Sequence, residues 1–559
     1  MTQICVPLMV EDHDEVLRDA IMAAELGADL VEYRVDVYFE DKDESTDLLQ
    51  DRIDRVLDIV KASPLPCIVT CRPHWEGGEY HGDDDERVAL YEALGTSEHP
   101  PAYIDVELAT YTRSANICQK INLAVNHPEQ VRSVSTRLIL STHDFSGRPI
   151  DLTRKILEMQ DEPACSIVKI AYRARSIRDN LELFEILADR QKPTIALCMG
   201  EFGIMSRILA PKFGGFLTFA SLRDESTTAP GQITIDELLN LYRFRSINPS
   251  TKVYGIIGWP VTQSMSPMVH NAGFEQVGWD GVYVPMPVEE SYESFKATML
   301  AMIDSALNFT GASVTIPHKD HLGRFSVEFN PDDKSNNTIC MCNNGNIPQN
   351  TFEIDGHTGS MPMGETENTD ADAVAELLET HIGELDAKKI AIVGSGGVAM
   401  STALIAMKLG ADVYIKNRTE ERAKTLVSRL EQIQENAPDG HGIHGSASTV
   451  STHNPEVIGA DAYINCTPVG MTDGPNPDGL SIPIPDMDKL APKTVFFDTV
   501  YNPIETPMIK AAKERGFRTI DGVQMFVKQA AHQFELWTGK PAPEQLFDHL
   551  VREHLGGHR

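Results

Sequence analysis

Eight short runs of β-branched and apolar residues, separated by amphipathic helical stretches, fill the chain as far as about Tyr242. They fall at 4–8, 30–35, 67–71, 103–106, 138–141, 167–170, 194–197 and 216–219, with helical patterns such as 13–26, 48–62 and 178–189 between them. Eight strand–helix units in roughly 250 residues fit a (β/α)8 barrel in both number and length. A doubly wound sheet would need a glycine-rich phosphate loop after its first strand, and none follows Leu8. The barrel reading also says where to look for chemistry, because such folds carry their sites at the C-terminal ends of strands.

The remaining half of the 559 residues requires further domains, since a single core does not grow to that size. With 82 acidic against 49 basic residues the net charge is −33, which argues against nucleic acid or an anionic membrane as a general partner. Small anionic substrates stay possible if arginines and lysines gather locally. Nine cysteines include no Cys-x-x-Cys pair, so no metal is expected; the closest pair, Cys340 and Cys342, reads as reduced thiols. No apolar run is long enough to span a bilayer, and the chain starts directly on a strand-like segment. A reducing, cytoplasmic setting is expected.

Polar residues cluster at the predicted strand ends. Glu32, Arg34 and Asp36 alternate with Tyr33 and Val35 and so share one face. Arg72 closes the third strand, Glu76 follows in its loop, and His143 closes the fifth. Lys169 sits in Ser-Ile-Val-Lys-Ile-Ala, an otherwise apolar run. Burial and nearby arginines would disfavour its charge, and a neutral amine is the nucleophile for a Schiff base with a ketone. A lysine merely paired with a strand-end glutamate would leave the same pattern.

Glu-Tyr-Arg-Val-Asp (32–36), Thr-Cys-Arg (70–72), Glu-Gly-Gly (76–78), Ser-Thr-His-Asp-Phe (141–145), Val-Lys-Ile-Ala (168–171), Met-Gly…Ser-Arg (199–207) and Ala-Pro-Gly-Gln (229–232) together resemble type I 3-dehydroquinate dehydratase. The resemblance covers the first half, with the motifs in the family's order. It implies an imine on Lys169, His143 as base and then acid, and Glu76 orienting His143. It also implies that Glu32, Arg34, Arg72, Arg207, Thr228 and Gln232 hold the substrate's carboxylate and hydroxyls. Thr228 stands where the family usually has serine and keeps the hydroxyl.

A small, polar, proline-marked segment from Ser246 to Thr251 then breaks the pattern, as a domain boundary would. A strand at 253–257 leads to Ser264 and Ser266, a helix at 268–276, a strand near 283–284 and a helix at 292–303, a small open α/β domain. Residues 341–366, rich in Asn, Gly and Met, read as an insertion on a surface hairpin. At Lys388 a buried parallel strand begins, followed by Gly394-Ser395-Gly396-Gly397-Val398-Ala399, a helix at 400–409 and a strand at 411–415. Glycines let backbone approach a pyrophosphate at a helix N-terminus, and the strand–loop–helix context makes this a dinucleotide site. An NAD site would carry an acid at the end of the second strand; this chain has Asn417, Arg418 and Thr419, with Arg422 one turn later. Two cations there suit a 2′-phosphate, so NADP(H) is the expected cofactor. Pairing of these arginines with Glu420 and Glu421 is the alternative.

Ser-Met-Ser-Pro (264–267), Val-Thr-Ile-Pro-His-Lys (314–319), Asn-Asn-Thr (336–338), Asn-Thr-Asp (368–370), the glycine loop, Asn-Arg-Thr (417–419), Asn-Cys-Thr-Pro-Val-Gly-Met (465–471), Asp-Thr-Val-Tyr-Asn-Pro (498–503) and Gln-Ala-Ala-His (529–532) resemble shikimate dehydrogenase. This resemblance implies Lys319 and Asp370 as the catalytic pair and Ser264 and Ser266 as carboxylate holders. Thr315, Asn337, Tyr501 and Gln529 would place the ring, and Gly522 would join the cofactor site. Asp370 is followed by Ala371, where the family usually has glycine. The expected fold is a TIM barrel over 1–247 and a substrate domain over 252–369 completed by helices from 522–559. A Rossmann NADP domain over 370–521 would complete the chain.

The two families catalyse consecutive steps. 3-Dehydroquinate loses water to 3-dehydroshikimate, which NADPH reduces to shikimate. A bifunctional enzyme of aromatic biosynthesis acting on these small molecules is the expected reading. A quinate-preferring enzyme is a rival, against which the paired Ser264 and Ser266 speak. A metabolite-sensing regulator is another, but it would be expected to lose Lys169, His143, Lys319 or Asp370.

Overall fold

The computed structural model describes residues 1–39, 46–126, 133–223, 233–329, 338–340, 349–354, 357–362, 365–435, 443–450, 459–481 and 490–556. They form two compact units, one of residues 1–263 with 280–309 and one of 264–279 with 310–559.

In the first unit the eight expected strands are β1 (Gln3–Met9), β2 (Leu30–Arg34), β3 (Cys67–Thr70), β4 (Tyr103–Glu107), β5 (Arg137–Asp144), β6 (Cys165–Arg173), β7 (Thr194–Met199) and β8 (Leu217–Phe219). They pair in parallel in the order β7-β6-β5-β4-β3-β2-β1-β8. Phe216 N–H donates to the Thr194 carbonyl at 2.8 Å across the seam, giving a nearly closed barrel. β5 and β6 run about three residues beyond their apolar stretches. The β4–β5 ladder ends at Ser141, but β5 continues because His143 and Asp144 still pair with Ala171 and Tyr172 of β6, and β6 continues against β7 as far as Met199.

The two-residue alternation of a strand sorts the interior into layers. Cys5, Leu30, Ile68, Tyr103, Ile139, Ile167, Ile195 and Leu217, one from each strand, form an apolar floor. Two residues further along come Glu32, Thr70, Asp105, Ser141 and Lys169, all buried. A polar layer therefore rests on an apolar one, at the C-terminal side of the barrel. The helix His13–Glu25 starts where Asp12 accepts from the Glu15 N–H at 2.8 Å, which caps its first turn.

The first unit extends past the expected boundary. β9 (Lys252–Gly258) pairs in parallel with β10 (Gly281–Pro287). Phe202, after β7, stacks on Trp259 with ring centroids 5.0 Å apart. Lys212 donates to the Pro249 and Thr251 carbonyls at 2.8 and 2.9 Å.

In the second unit the helix Ser266–Val277 packs on the helices Gly522–Thr538 and Glu544–Gly556. His270 lies 5.1 Å from Trp537 and Phe274 lies 5.6 Å from Phe534, ring to ring. The C-terminal helices thus pack on a segment more than two hundred residues earlier. β11 (Phe309–Val314) is antiparallel to β12 (Thr338–Cys340); β13 (Gln349–Ile354) and β14 (His357–Pro362) pair with each other, and β15 (Glu365–Glu367) pairs with β12. The β13–β14 hairpin falls in the stretch read as an insertion.

The remaining strands, β16 (Lys389–Val393), β17 (Asp412–Lys416), β18 (Ala447–Thr449), β19 (Ala462–Asn465), β20 (Val495–Asp498) and β21 (Arg518–Ile520), form a parallel sheet in the order β18-β17-β16-β19-β20-β21. This is a Rossmann arrangement around the buried Ile390, Ile392, Val413, Ile415 and Ile464. The helix after β16 spans Gly397–Lys408, three residues earlier than its apolar pattern suggested. Gly397 is admitted because first-turn amides lack intrahelical partners and so carry less of the cost of an interior glycine.

Among the described residues no helix is long and apolar enough to cross a membrane, and the seven described cysteines are unpaired.

Candidate active sites

Glu32, Arg34, Arg72, Glu76, His143, Lys169 and Arg207 line one cavity at the C-terminal end of the barrel, with Phe145, Leu197, Met199 and Phe219. Thr228 and Gln232 lie outside the described residues. Lys169 Nζ is 2.7 Å from Asp105 Oδ2, 3.1 Å from Glu32 Oε1 and 4.8 Å from the centre of the Phe219 ring. Its nearest charged neighbours are therefore carboxylates, not the expected arginines. Strand register explains this: Leu30, Tyr103 and Ile167 share the floor, so Glu32, Asp105 and Lys169 share the layer above.

Arg72 lines the cavity and is engaged by buried carboxylates. Its guanidinium meets Asp105 at 2.9 Å, Glu107 at 2.6 Å and the Ser141 hydroxyl at 2.8 Å, all buried. Burial opposes the charge on Asp105, yet the Arg72 and Lys169 cations hold its carboxyl well below the ordinary range. Arg207, fully buried, spends Nη1 on the Cys198 carbonyl, and its Nε has no acceptor among the described residues. Burial lowers it to about 10. Arg34 is held by two bonds to Asp36, at 3.0 and 2.9 Å.

His143 Nδ1 lies 2.9 Å from Glu76 Oε2, and the His143 backbone N–H donates to the same oxygen at 3.2 Å. Burial pushes the Glu76 carboxyl up to about 8, against the pull of Arg72. Burial, with the Arg72 and Lys169 cations, lowers His143 well below its ordinary value. The cavity thus favours the neutral imidazole, the form that can accept a proton. Sequence reasoning missed Asp105 and Glu107. The signal was present, since Tyr-Ile-Asp-Val-Glu repeats the alternation that singled out Glu32 and Arg34.

In the second unit Lys319 Nζ meets Asp370 Oδ2 at 2.5 Å. Lys319 is 31% and Asp370 13% exposed, so the pair is open to a ligand on the lysine side. Lys319 begins the helix that follows β11, and Asp370 lies in the first turn of the helix Thr369–Ile382. That turn is capped by Asn368, which accepts from the Ala371 N–H and donates to Ser401. Ala371 in place of the usual glycine thus sits in regular helix. Ser264 Oγ accepts from the Ser266 N–H at 3.2 Å, at the start of the helix Ser266–Val277. Thr315 is half-buried at the end of β11, and the Tyr501 ring lies 5.7 Å from Phe526, one turn before Gln529. Asn337 lies outside the described residues. No direct bond joins Ser264 or Ser266 to the Lys319–Asp370 pair among the described residues.

The glycine loop fits a dinucleotide. Gly394 has φ +126, and a Cβ there would meet the Cys466 carbonyl at 2.6 Å. At Gly396 and Gly397 a Cβ would meet nothing within 4 Å, so the space above the helix N-terminus is open. Arg418 and Arg422 are exposed, and Glu420 and Glu421 pair with Lys424 instead, at 3.4 and 3.1 Å. Among the described residues neither arginine makes an ion pair. Gly522 is required by packing: a Cβ there would lie 2.2 Å from the Val500 carbonyl oxygen.

Residues 4–249 match the type I 3-dehydroquinase family, 256–336 the shikimate dehydrogenase substrate-binding domain, and 522–552 the shikimate 5′-dehydrogenase C-terminal domain. The bifunctional 3-dehydroquinate dehydratase/shikimate dehydrogenase, chloroplastic, of Arabidopsis thaliana is 36% identical over 99% of this chain and 84% of its own length. Shikimate dehydrogenase (NADP(+)) of Methanocaldococcus jannaschii is 34% identical over 52% of this chain and 93% of its own. A crystal structure of a shikimate dehydrogenase in complex with NADP+ aligns at 31% identity over 55% of this chain and 97% of that one, with a TM-score of 0.44. With the full length matched at that identity and both halves matched in order, the chain belongs to the bifunctional 3-dehydroquinate dehydratase/shikimate dehydrogenase family.

Proposed function

We propose that the chain dehydrates 3-dehydroquinate to 3-dehydroshikimate in the barrel cavity and reduces that product to shikimate in the second unit with NADPH. The observation that carries this reading is one buried cavity holding an amine, Lys169, and a base, His143, 2.9 Å from its orienting carboxyl, Glu76. The Lys169 amine adds to the substrate ketone, and loss of water leaves an iminium. The iminium acidifies the neighbouring C–H, His143 takes that proton, and an enamine results. Collapse of the enamine expels the hydroxyl, which His143 protonates as it leaves, and water then releases the product from Lys169. Arg207 has hydrogen-bonding capacity to spare for the substrate carboxylate, with Arg34, Thr228 and Gln232 assisting.

In the reductase, NADPH supplies the hydride when bound. Lys319 holds the proton that the developing alkoxide needs, and Asp370 fixes the ammonium. Ser264 and Ser266 meet the ring carboxylate at a helix N-terminus, where the dipole favours an anion. Residues 394–399 would hold the pyrophosphate, and Arg418 with Arg422 the 2′-phosphate; that neither pairs with Glu420 or Glu421 supports NADP over NAD. The same reading takes 1–247, 252–369 with 522–559, and 370–521 as the functional domains, in a reducing compartment such as the cytoplasm.

The test supplies purified chain with 3-dehydroquinate and NADPH and identifies the product. Shikimate is expected. Accumulation of 3-dehydroshikimate would refute the reductase, and unchanged substrate would refute the dehydratase. Borohydride with 3-dehydroquinate should leave a covalent adduct on Lys169, and Lys169→Ala should abolish dehydration while 3-dehydroshikimate reduction continues.

A further inference from the structure

Gln533, on the helix Gly522–Thr538, is 1% exposed. Burying an amide is costly unless both of its ends are bonded, and here both are. Ser313 Oγ, on β11, donates to its Oε1 at 2.7 Å. Its Nε2 donates to Thr369 Oγ1 at 3.1 Å and to Gln529 Oε1 at 3.0 Å. These contacts lead to the reductase site: Thr369 precedes Asp370, Gln529 is the residue that the shikimate dehydrogenase resemblance assigns to placing the substrate ring, and Ser313 stands two residues before Thr315.

The direction of this network follows from one carbonyl. Gln529 Nε2 donates to the Phe526 carbonyl at 3.1 Å, and a carbonyl can only accept. Gln529 Oε1 is therefore the end that faces Gln533, which must answer with its Nε2. Gln533 Oε1 is left for the Ser313 hydroxyl. Gln529 is half-buried, and among the described residues its Nε2 has one protein acceptor, so a second hydrogen is available to a substrate oxygen. A partner at 533 that could only accept would turn the Gln529 amide over and offer the substrate a carbonyl instead.

We propose that Gln533 is a positioning residue of the reductase, setting which end of Gln529 meets the substrate. The proposal rests on the assignment of that site in the preceding section. Gln533→Leu removes the amide, and Gln533→Glu keeps its shape while removing the donor. Each is made in the full chain, alone and together with Gln529→Ala, and assayed with 3-dehydroshikimate and NADPH. Each single change is expected to raise KM for 3-dehydroshikimate about tenfold, the effect of roughly one hydrogen bond, and to leave KM for NADPH unaltered. With Gln529→Ala already present, neither change should raise substrate KM further. An unchanged KM in both single variants would overturn the proposal. So would an equal rise with and without Gln529→Ala, or loss of NADPH binding in both variants, which would make Gln533 a support of the fold. Failure of the unaltered chain to reduce 3-dehydroshikimate would instead refute the site assignment beneath it.

Discussion

Asp105 stands between two cations, with Oδ2 2.7 Å from Lys169 Nζ and Oδ1 2.9 Å from the Arg72 guanidinium. One fully buried carboxylate thus lets an arginine and a lysine share a small cavity without direct repulsion. A second carboxylate, Glu107, takes the rest of the Arg72 charge at 2.6 Å. Arg72 is engaged in organising the cavity, and among the described residues Arg207 keeps an Nε with no acceptor.

Asp105→Asn should therefore weaken both the barrel and its chemistry. Removing one partner of a buried ion pair costs about 3–5 kcal/mol, because the remaining charges are left uncompensated. Displacement of Lys169 by a fraction of an ångström to an ångström should lower dehydration about a hundredfold. Thermal unfolding and dehydration rate measure the two effects, with 3-dehydroshikimate reduction as the internal control. Near-normal dehydration in the variant would deny Asp105 a place in the site.

The pH profile of dehydration should carry the mark of burial. His143 is lowered from its ordinary 6.5, so its neutral form persists to lower pH, and the acid limb of kcat/KM should fall below pH 6.5. Glu76, pushed up to about 8, is largely uncharged beneath that pH. Glu76→Gln imitates the uncharged form, so its penalty should be small near neutrality and grow above about pH 8. A penalty that is constant across the pH range would contradict this account.

Cofactor choice should depend on Arg418 and Arg422. Charge-assisted bonds to phosphate are worth roughly 1.5–3 kcal/mol each, so removing one arginine should weaken NADPH about ten- to a hundredfold and leave NADH nearly unaffected. Arg418→Asp should reverse the preference, since a carboxylate repels the phosphate but accepts bonds from a ribose diol. Measuring kcat/KM for both cofactors at matched salt decides the matter. Equal losses would show the arginines to be supports of the fold.

The segment joining the halves should be separable at a cost. A fragment of residues 1–247 keeps every described barrel strand but loses the Pro249 and Thr251 carbonyls that accept from Lys212, and the Trp259 ring on Phe202. It should retain dehydration with stability reduced by about 1–3 kcal/mol, the cost of leaving a partly buried donor unanswered. Lys212→Met in the fragment should recover part of that loss. Denaturant titration of the two fragments tests this, and an inactive 1–247 fragment would place essential structure beyond the boundary.

Much of this protein was legible without coordinates because its chemistry sits where local pattern is strong. Period-two alternation marked the barrel strands and carried Glu32, Lys169 and His143 to one end of them. A strand, a glycine loop and a helix identified the dinucleotide domain from contiguous residues. Extents were less legible: β5 and β6 outrun their apolar stretches, and the helix at Gly397 begins before its apolar face does. Hydrophobicity reports what is buried, whereas backbone bonding sets where an element ends.

The sequence by itself determined the two folds, their order, the family of each half and the residue types that do the chemistry. Each of those is written in residues close together in the chain. Only the tertiary structure decided that Lys169 lies against Asp105 and Glu32, that Arg72 serves carboxylates, and that Gln533 joins Ser313, Thr369 and Gln529. Those pairings span sequence separations of four to 220 residues, nearly all of them 33 or more. Which polar groups meet across such distances depends on strand register and helix packing, and no local pattern of residues encodes either.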